Sequence, residues 1–208
     1  MTQRNPHPFE PQDDAALSNL TSISIKGLRL SKDFSEETHC FQATVYIDGK
    51  RAFIAHNDGH GGANYYAPHG VSKNSDAKRL AFKNSMAEAR KEAARYIEAK
   101  SNGREDYDWA VERFADTDEL IDWVITDLIN EIGLLKEMRE HLKKYVCSYD
   151  KRTREITKWK TTPTQSNIDA VKKYADLLIH EITAKKNEYI VLNELSESEA
   201  LEYWRNAK

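Results

Sequence analysis

The sequence predicts an α+β protein, in which an N-terminal three-stranded antiparallel meander precedes a mainly helical region with one long helix and a short basic hairpin. Apolar and polar residues alternate over 39–47, which is typical of a half-buried strand, whereas apolar residues after Ser75 recur at helical spacing. The expected organisation is a flexible lead over residues 1–20, a meander with a Gly/His loop over residues 21–72, and a helical region over residues 73–208 with its hairpin at about 145–160.

Composition excludes several classes of protein. Of the 208 residues, 39% are hydrophobic and 31% are charged, and the formal net charge is −3. No apolar run is long enough to span a bilayer, and residues 1–20 lack the basic-then-apolar order of a secretory signal. Cys40 and Cys147 lie far apart and form no CxxC pair. We therefore expect a cytoplasmic protein with free thiols, no cofactor and no membrane contact.

The meander is predicted from alternation and turn chemistry. One strand face carries His39, Phe41, Ala43, Val45 and Ile47, and the other carries Cys40, Gln42, Thr44 and Tyr46. Asp48-Gly49 supplies the positive φ of a two-residue hairpin turn, so residues 50–57 form the return strand. In the preceding segment SISIKGLRL the apolar parity changes at Gly27, which predicts a β-bulge there.

Residues 55–70, AHNDGHGGANYYAPHG, concentrate ligand-type side chains and glycines. An exposed loop is expected, with Asn57, Asp58, His60, Asn64, Tyr65 and Tyr66 on its surface. A zinc site is the alternative, because His56 and His60 flank Asp58, and His39, Cys40 or His69 could complete it. The spacing does not match a standard zinc motif, so a polar turn shaped by glycines is favoured.

The helical region is predicted from apolar stripes. Phe82, Met86, Ala89, Ala93 and Ile97 form the first stripe. A helix of about thirty residues then begins at Thr117, with Ile121, Leu128, Leu135 and Leu142 at seven-residue intervals. This repeat predicts either a helical hairpin with residues 166–184 or a homodimer seam, and the dimer is slightly favoured. Ser196 and Glu199 form a capping box for the last helix.

Charge is distributed unevenly along the chain. Residues 105–131 contain ten acids against Arg113 alone, and the acidic face Asp116, Asp118, Glu119 and Asp122 is expected to meet a basic surface of a partner protein. Residues 143–160 contain seven bases against two acids. The hairpin residues Lys151, Arg152, Arg154 and Lys158 around Trp159 suit phosphate contacts with base stacking, or an acidic surface.

The combination of SEETxCF, VYxDGK and NDGxGG resembles that of uncharacterised small accessory proteins carried by bacteriophages and mobile elements. The resemblance covers about a quarter of the chain and carries no catalytic residues. It implies a bacterial host cytoplasm and a factor that binds a host macromolecule, including inhibitors of host defence of the anti-CRISPR kind.

Three functions therefore remain in consideration. The leading one is a non-enzymatic phage-type accessory protein that binds a host macromolecule, for which a host protein is the expected partner. The second is a DNA- or RNA-binding accessory protein that uses the hairpin 143–160. The third is a metal-dependent enzyme that uses the loop from His56 to His69.

Overall fold

A computed structural model describes residues 22–69, 76–101, 113–114, 117–182 and 189–207. It confirms the α+β class. The expected N-terminal lead, Ser75, Asp116 and the acids between 105 and 112 lie outside the described residues. The chain divides into two compact units, one within Leu17–Glu131 and the other within Ile132–Lys208. None of the helices among the described residues is long and apolar enough to cross a membrane.

The first unit contains a sheet of four antiparallel strands rather than the three predicted. They are β1 (Ile23–Ser31), β2 (Cys40–Ile47), β3 (Lys50–Asn57) and β4 (Tyr65–Pro68), in that spatial order. The prediction missed β4 because four residues are too few to show a period. This strand forms through long-range pairing, in which His56 lies opposite Tyr65 and Phe53 opposite Pro68.

The turn and the bulge of this sheet are confirmed. Asp48 and Gly49 both have positive φ, of 50° and 70°, as a two-residue hairpin requires. The register of β1 against β2 shifts between Lys26 and Arg29, and Gly27 has a φ of 64°. The change of apolar parity in the sequence therefore marks the position of the bulge.

Two helices contribute to the core of this unit. Helix α1 (Asp76–Ser101) contacts all four strands, and the predicted stripe from Met86 to Ile97 is buried. Helix α2 (Glu119–Lys144) buries Ile121, Val124 and Ile125 almost completely in its first half. The alternating residues of β2 and β3 that are buried in the core of the unit are Phe41, Ala43, Val45, Ile47, Phe53 and Ala55.

The second unit contains a three-stranded sheet with the order β6-β5-β7. Strands β5 (Val146–Asp150) and β6 (Glu155–Trp159) confirm the predicted hairpin, and β7 (Tyr189–Val191) adds a strand that was not predicted. Helices α3 (Gln165–Ile182) and α4 (Glu197–Arg205) complete the unit, and the capping box of Ser196 and Glu199 is present.

The apolar repeat of α2 is buried within a single chain. In its second half Leu135, Met138 and Leu142 pack in a core cluster with β5, Leu192 and α4, including Trp204. The described core residues of α3, Ile168 and Val171, instead pack with Val146 and Val191. The seven-residue repeat is therefore explained without a dimer, and the main sequence argument for a dimer seam loses its basis.

Candidate binding site

Two loops meet at one end of the first sheet and together form a surface that we call the loop platform. One loop, residues 32–39, joins β1 to β2, and the other, residues 58–64, joins β3 to β4. The carbonyl oxygen of Gly59 accepts hydrogen bonds from the backbone N–H groups of Glu36, Glu37 and Thr38, at 3.0, 3.0 and 3.3 Å. One carbonyl group thus holds the second loop against three consecutive residues of the first.

The side chain of Asn57 is the internal anchor of the loop platform. Its Oδ1 accepts from the N–H of Gly59 at 2.8 Å and from the hydroxyl of Thr38 at 2.7 Å. Its Nδ2 donates to the carbonyl of Gly62 at 3.3 Å and to Oδ1 of Asn64 at 3.1 Å. The prediction of an exposed Asn57 is therefore wrong, because this residue is only 4% exposed. Its amide replaces the backbone pairing that ends with the strand.

Glycine is needed at position 59 because the two loops approach closely there. Gly59 has a φ of +89°, and a Cβ atom on it would lie 1.9 Å from the carbonyl oxygen of Phe34. At Gly61 a Cβ atom would meet only Oε2 of the flexible Glu37 side chain, at 2.4 Å, so it is the φ of +91° that favours glycine there. Gly59 is therefore the position at which the absence of a side chain lets the two loops meet.

The two metal candidates do not converge. The ring of His56 stacks on Tyr65, with centroids 5.2 Å apart, and Nδ1 of the exposed His60 lies 3.1 Å from Oε2 of Glu36. His39 contacts Oδ1 of Asn130 at 2.9 Å, and His69 contacts Arg51. Among the residues that the structure describes, no group of three His, Cys, Asp or Glu side chains could hold a metal ion.

The outer surface of the loop platform is acidic and carries an aromatic ring. The carboxylates of Asp33, Glu36, Glu37 and Asp58 are exposed, and the Phe34 side chain is 61% exposed. Beside them lies a cavity of about 530 Å³, whose polar lining includes Glu36, Glu37, Thr38, Asn64 and Asp122. An aromatic ring among carboxylates suits the apolar and cationic side chains of a protein partner.

The predicted acidic face on α2 is only partly available. The hydroxyl of Tyr66 donates to Asp122, and the N–H of Asn64 donates to the same carboxylate at 3.3 Å. Asp118 is paired with Arg90 at 2.8 Å, whereas Glu119 is exposed. Asp122 therefore connects α2 to the loop at residues 58–64 and to β4.

Burial shifts the pKa values of the Asp122 carboxyl and the Tyr66 hydroxyl. Desolvation raises the pKa of the Asp122 carboxyl above its ordinary value, although the hydrogen bonds from Tyr66 and Asn64 act in the opposite direction. Burial, followed by the contact with Asp122, also raises the pKa of the Tyr66 hydroxyl. Tyr66 is half-buried and faces the core, where its ring meets that of Phe53 edge-on at 5.4 Å, so the prediction that it lies in an exposed loop is wrong.

The sequence prediction missed one face of the first sheet. This face carries the polar and charged side chains, and we call it the outer sheet face. Arg29, Gln42, His56 and Tyr65 lie opposite one another across the four strands. The next row contains Lys26, Thr44, Ile54 and Ala67, and a further pair contains Tyr46 and Arg51. A signal was present in the sequence, because several outward positions of the alternating segments are basic or aromatic.

The predicted basic hairpin is partly occupied by internal contacts. The Trp159 indole N–H donates to the Ser148 hydroxyl at 2.8 Å, and its ring meets Tyr174 edge-on. The Lys158 ammonium group donates to Nε2 of His141 at 2.9 Å. Arg152 lies 3.7 Å from the Asp150 carboxylate, whereas Lys151 and Arg154 are exposed at the turn. Trp159 is thus a structural residue more than a stacking surface.

Comparison with known proteins found no matching family model, no similar curated protein and no similar solved structure.

Proposed function

We propose that this protein is a non-enzymatic accessory protein of a bacteriophage or mobile element, which binds a host protein in the bacterial cytoplasm through its loop platform. The observation that carries the proposal is the convergence of three backbone N–H groups on the Gly59 carbonyl, which holds an exposed aromatic ring and several carboxylates in one arrangement. Inhibition of a host defence system is the role that the sequence resemblance favours.

Preorganisation is the physical reason to propose binding here. A loop that must become ordered on binding loses affinity, at about 0.5–1.5 kcal/mol for each immobilised side chain. The hydrogen bonds of Asn57 and Gly59 already order both loops in the free protein. The binding energy of the exposed Phe34 ring is then available to the complex.

Charge indicates the kind of partner. The two loop sequences contain four acids, Asp33, Glu36, Glu37 and Asp58, against one lysine. The Asp122 carboxylate lines the adjacent cavity, and burial destabilises its ionised form, so a cation from the partner would stabilise it. We infer that the partner surface carries Lys or Arg side chains beside an apolar residue.

Charge reversal on the loop platform tests this proposal. The variant Glu36→Lys/Glu37→Lys should lose binding to immobilised peptides that combine Lys or Arg with Leu or Phe. The control Glu140→Lys/Glu202→Lys makes the same change in net charge at exposed positions of the second unit and should retain binding. Association by the loop variant should slow about tenfold at low salt.

Lysate pull-downs after nuclease treatment give a second measurement with the same variants. The wild type and the control should retain the same captured proteins, and the loop variant should lose them. Peptide binding without preference for basic sequences, or equal capture by both variants, would contradict the proposal.

A further inference from the structure

We infer that the outer sheet face is a second binding site, which takes single-stranded nucleic acid. The site is separate from the loop platform and from the basic hairpin at residues 143–160. The inference rests on the composition of the strands, on the cross-strand arrangement of their outward side chains, and on the contacts among those side chains.

The strands of the first sheet contain basic residues and no acidic ones. Their sequences contain Lys26, Arg29, Lys50 and Arg51, and none of them contains Asp or Glu. All four cationic side chains are exposed, and Lys26, Arg29 and Arg51 belong to the outer sheet face, whereas Lys50 lies opposite the inward-facing Ile47. Because the whole chain has a net charge of −3, this concentration of positive charge is local. A polyanion is the ligand that such a surface attracts.

Aromatic side chains lie among these cations. Tyr65 is 60% exposed, and its ring stacks on His56 with an interplanar angle of 20°. Arg29 and Gln42 continue the same row across β1 and β2. A base can therefore stack on the Tyr65 ring while the guanidinium group of Arg29 contacts a phosphate. This combination is found in proteins that bind single-stranded nucleic acid.

The ring of Tyr46 positions the other cations. Nζ of Lys26 lies 5.1 Å from the ring centroid, and Cζ of Arg51 lies 5.9 Å from it. Arg51 also donates to the Tyr46 hydroxyl, at 3.3 and 3.4 Å. These contacts hold two cations above the sheet without neutralising them, because neither contact involves a carboxylate.

A duplex fits this surface less well than a single strand. Duplex DNA is read by an element inserted into a groove, and its bases are not available for stacking on a side chain. The outer sheet face is instead an antiparallel sheet that spans four strands, roughly 14 Å across at the usual strand spacing. Its aromatic groups require splayed bases, which only a single strand offers.

Fluorescence anisotropy tests the inference directly. Labelled oligo(U) and oligo(dT) of about twelve nucleotides are titrated with the full chain, beside a duplex of the same length. Both single strands should bind at about 50 mM salt and lose affinity as salt rises. The ratio between oligo(U) and oligo(dT) affinity then shows whether RNA or DNA is preferred.

Variants locate the site. Tyr65→Ala should weaken single-strand binding about tenfold by removing one stacked base, whereas the control Trp123→Ala, another exposed aromatic residue, should not. The double variant Lys26→Gln/Arg29→Gln should lower the salt slope by about 0.7 for each phosphate that the protein no longer neutralises. The control Lys136→Gln/Lys173→Gln, at exposed positions of α2 and α3, should leave the slope unchanged.

Ultraviolet cross-linking to oligo(U) provides a readout that does not depend on variant folding. Cross-linked peptides from strands β1 to β4 would support the inference. The absence of single-strand binding, equal affinity for the duplex, or cross-links confined to residues 143–160 would overturn it. Loss of binding in Arg152→Glu/Arg154→Glu together with full binding by the sheet variants would also overturn it.

Discussion

Replacing Gly59 with alanine should destabilise the protein far more than the same change at Gly62. The two glycines have nearly equal φ, +89° and +87°, so each alanine carries the same left-handed backbone cost of about 1–2 kcal/mol. Their surroundings differ, however. A Cβ atom at position 59 would lie 1.9 Å from the Phe34 carbonyl oxygen and 2.8 Å from Cβ of Cys40, whereas one at position 62 would meet nothing within 4 Å.

The magnitude of the difference follows from the hydrogen bonds that the clash would break. Making room for a methyl group at position 59 requires moving the first loop away from the Gly59 carbonyl, which accepts three backbone N–H groups. At about 1 kcal/mol for each bond, this adds about 3 kcal/mol. Gly59→Ala should therefore cost about 4–5 kcal/mol, and Gly62→Ala about 1–2 kcal/mol.

Urea denaturation followed by far-ultraviolet circular dichroism measures both free energies of unfolding. The Gly62→Ala variant is the matched control, because it keeps the backbone cost and omits the clash. Equal losses in the two variants would refute the view that the Gly59 contact closes the loop platform.

Three further predictions concern single side chains. Asn193→Ala should lower the free energy of unfolding by about 3 kcal/mol in urea titrations, because the buried Asn193 amide accepts from one backbone N–H and donates to two carbonyl groups. A loss below about 0.5 kcal/mol, as expected for a surface change, would contradict a stabilising role for these hydrogen bonds. Ser196→Ala should lower the melting temperature at pH 7, and its difference from the wild-type melting temperature should narrow as pH falls below about 4. The reason is that hydrogen bonds from Ser196 lower the pKa of Glu199 and stabilise only its ionised form. A difference in melting temperature that does not depend on pH would exclude the charged capping box. Because burial raises the pKa of Asp122, the wild-type protein loses stability as pH rises from about 4 and this carboxyl group ionises. Thermal melts should therefore show Asp122→Asn gaining stability relative to wild type between about pH 4 and pH 7. A relative loss over this range would show that the hydrogen bonds from Tyr66 and Asn64 outweigh desolvation.

Local features of the fold were predictable from the sequence. The Asp48-Gly49 turn and the bulge at Gly27 depend on backbone φ values that few residues other than glycine, asparagine and aspartate adopt. The stripe of α2 depends on a helical period that is repeated along a helix of 26 residues, which is too long to arise by chance. These signals lie within neighbouring residues, and the structure confirms each of them.

Features that depend on distant contacts were not predictable. Asn57 has the same sequence context as an exposed turn residue, yet it is buried because residues 36–38 close over Gly59. The sequence predicts Tyr66 in an exposed loop, because nothing near it in sequence reveals its contact with Asp122, fifty-six residues away. The outer sheet face could have been recognised in part, since Lys26, Arg29 and Arg51 are visible in strands without acids.

Site-specific photo-cross-linking in bacterial cells tests the proposed function most directly. A benzophenone amino acid replaces Phe34 on the loop platform in one variant, and in the control it replaces Leu80, an equally exposed residue of α1. We expect a discrete cross-linked product at position 34 only, attached to a peptide rich in Lys or Arg, and absent when Glu36→Lys/Glu37→Lys is added. Equal products at both positions, no product at position 34, or a product that survives the charge reversal would contradict the proposed function.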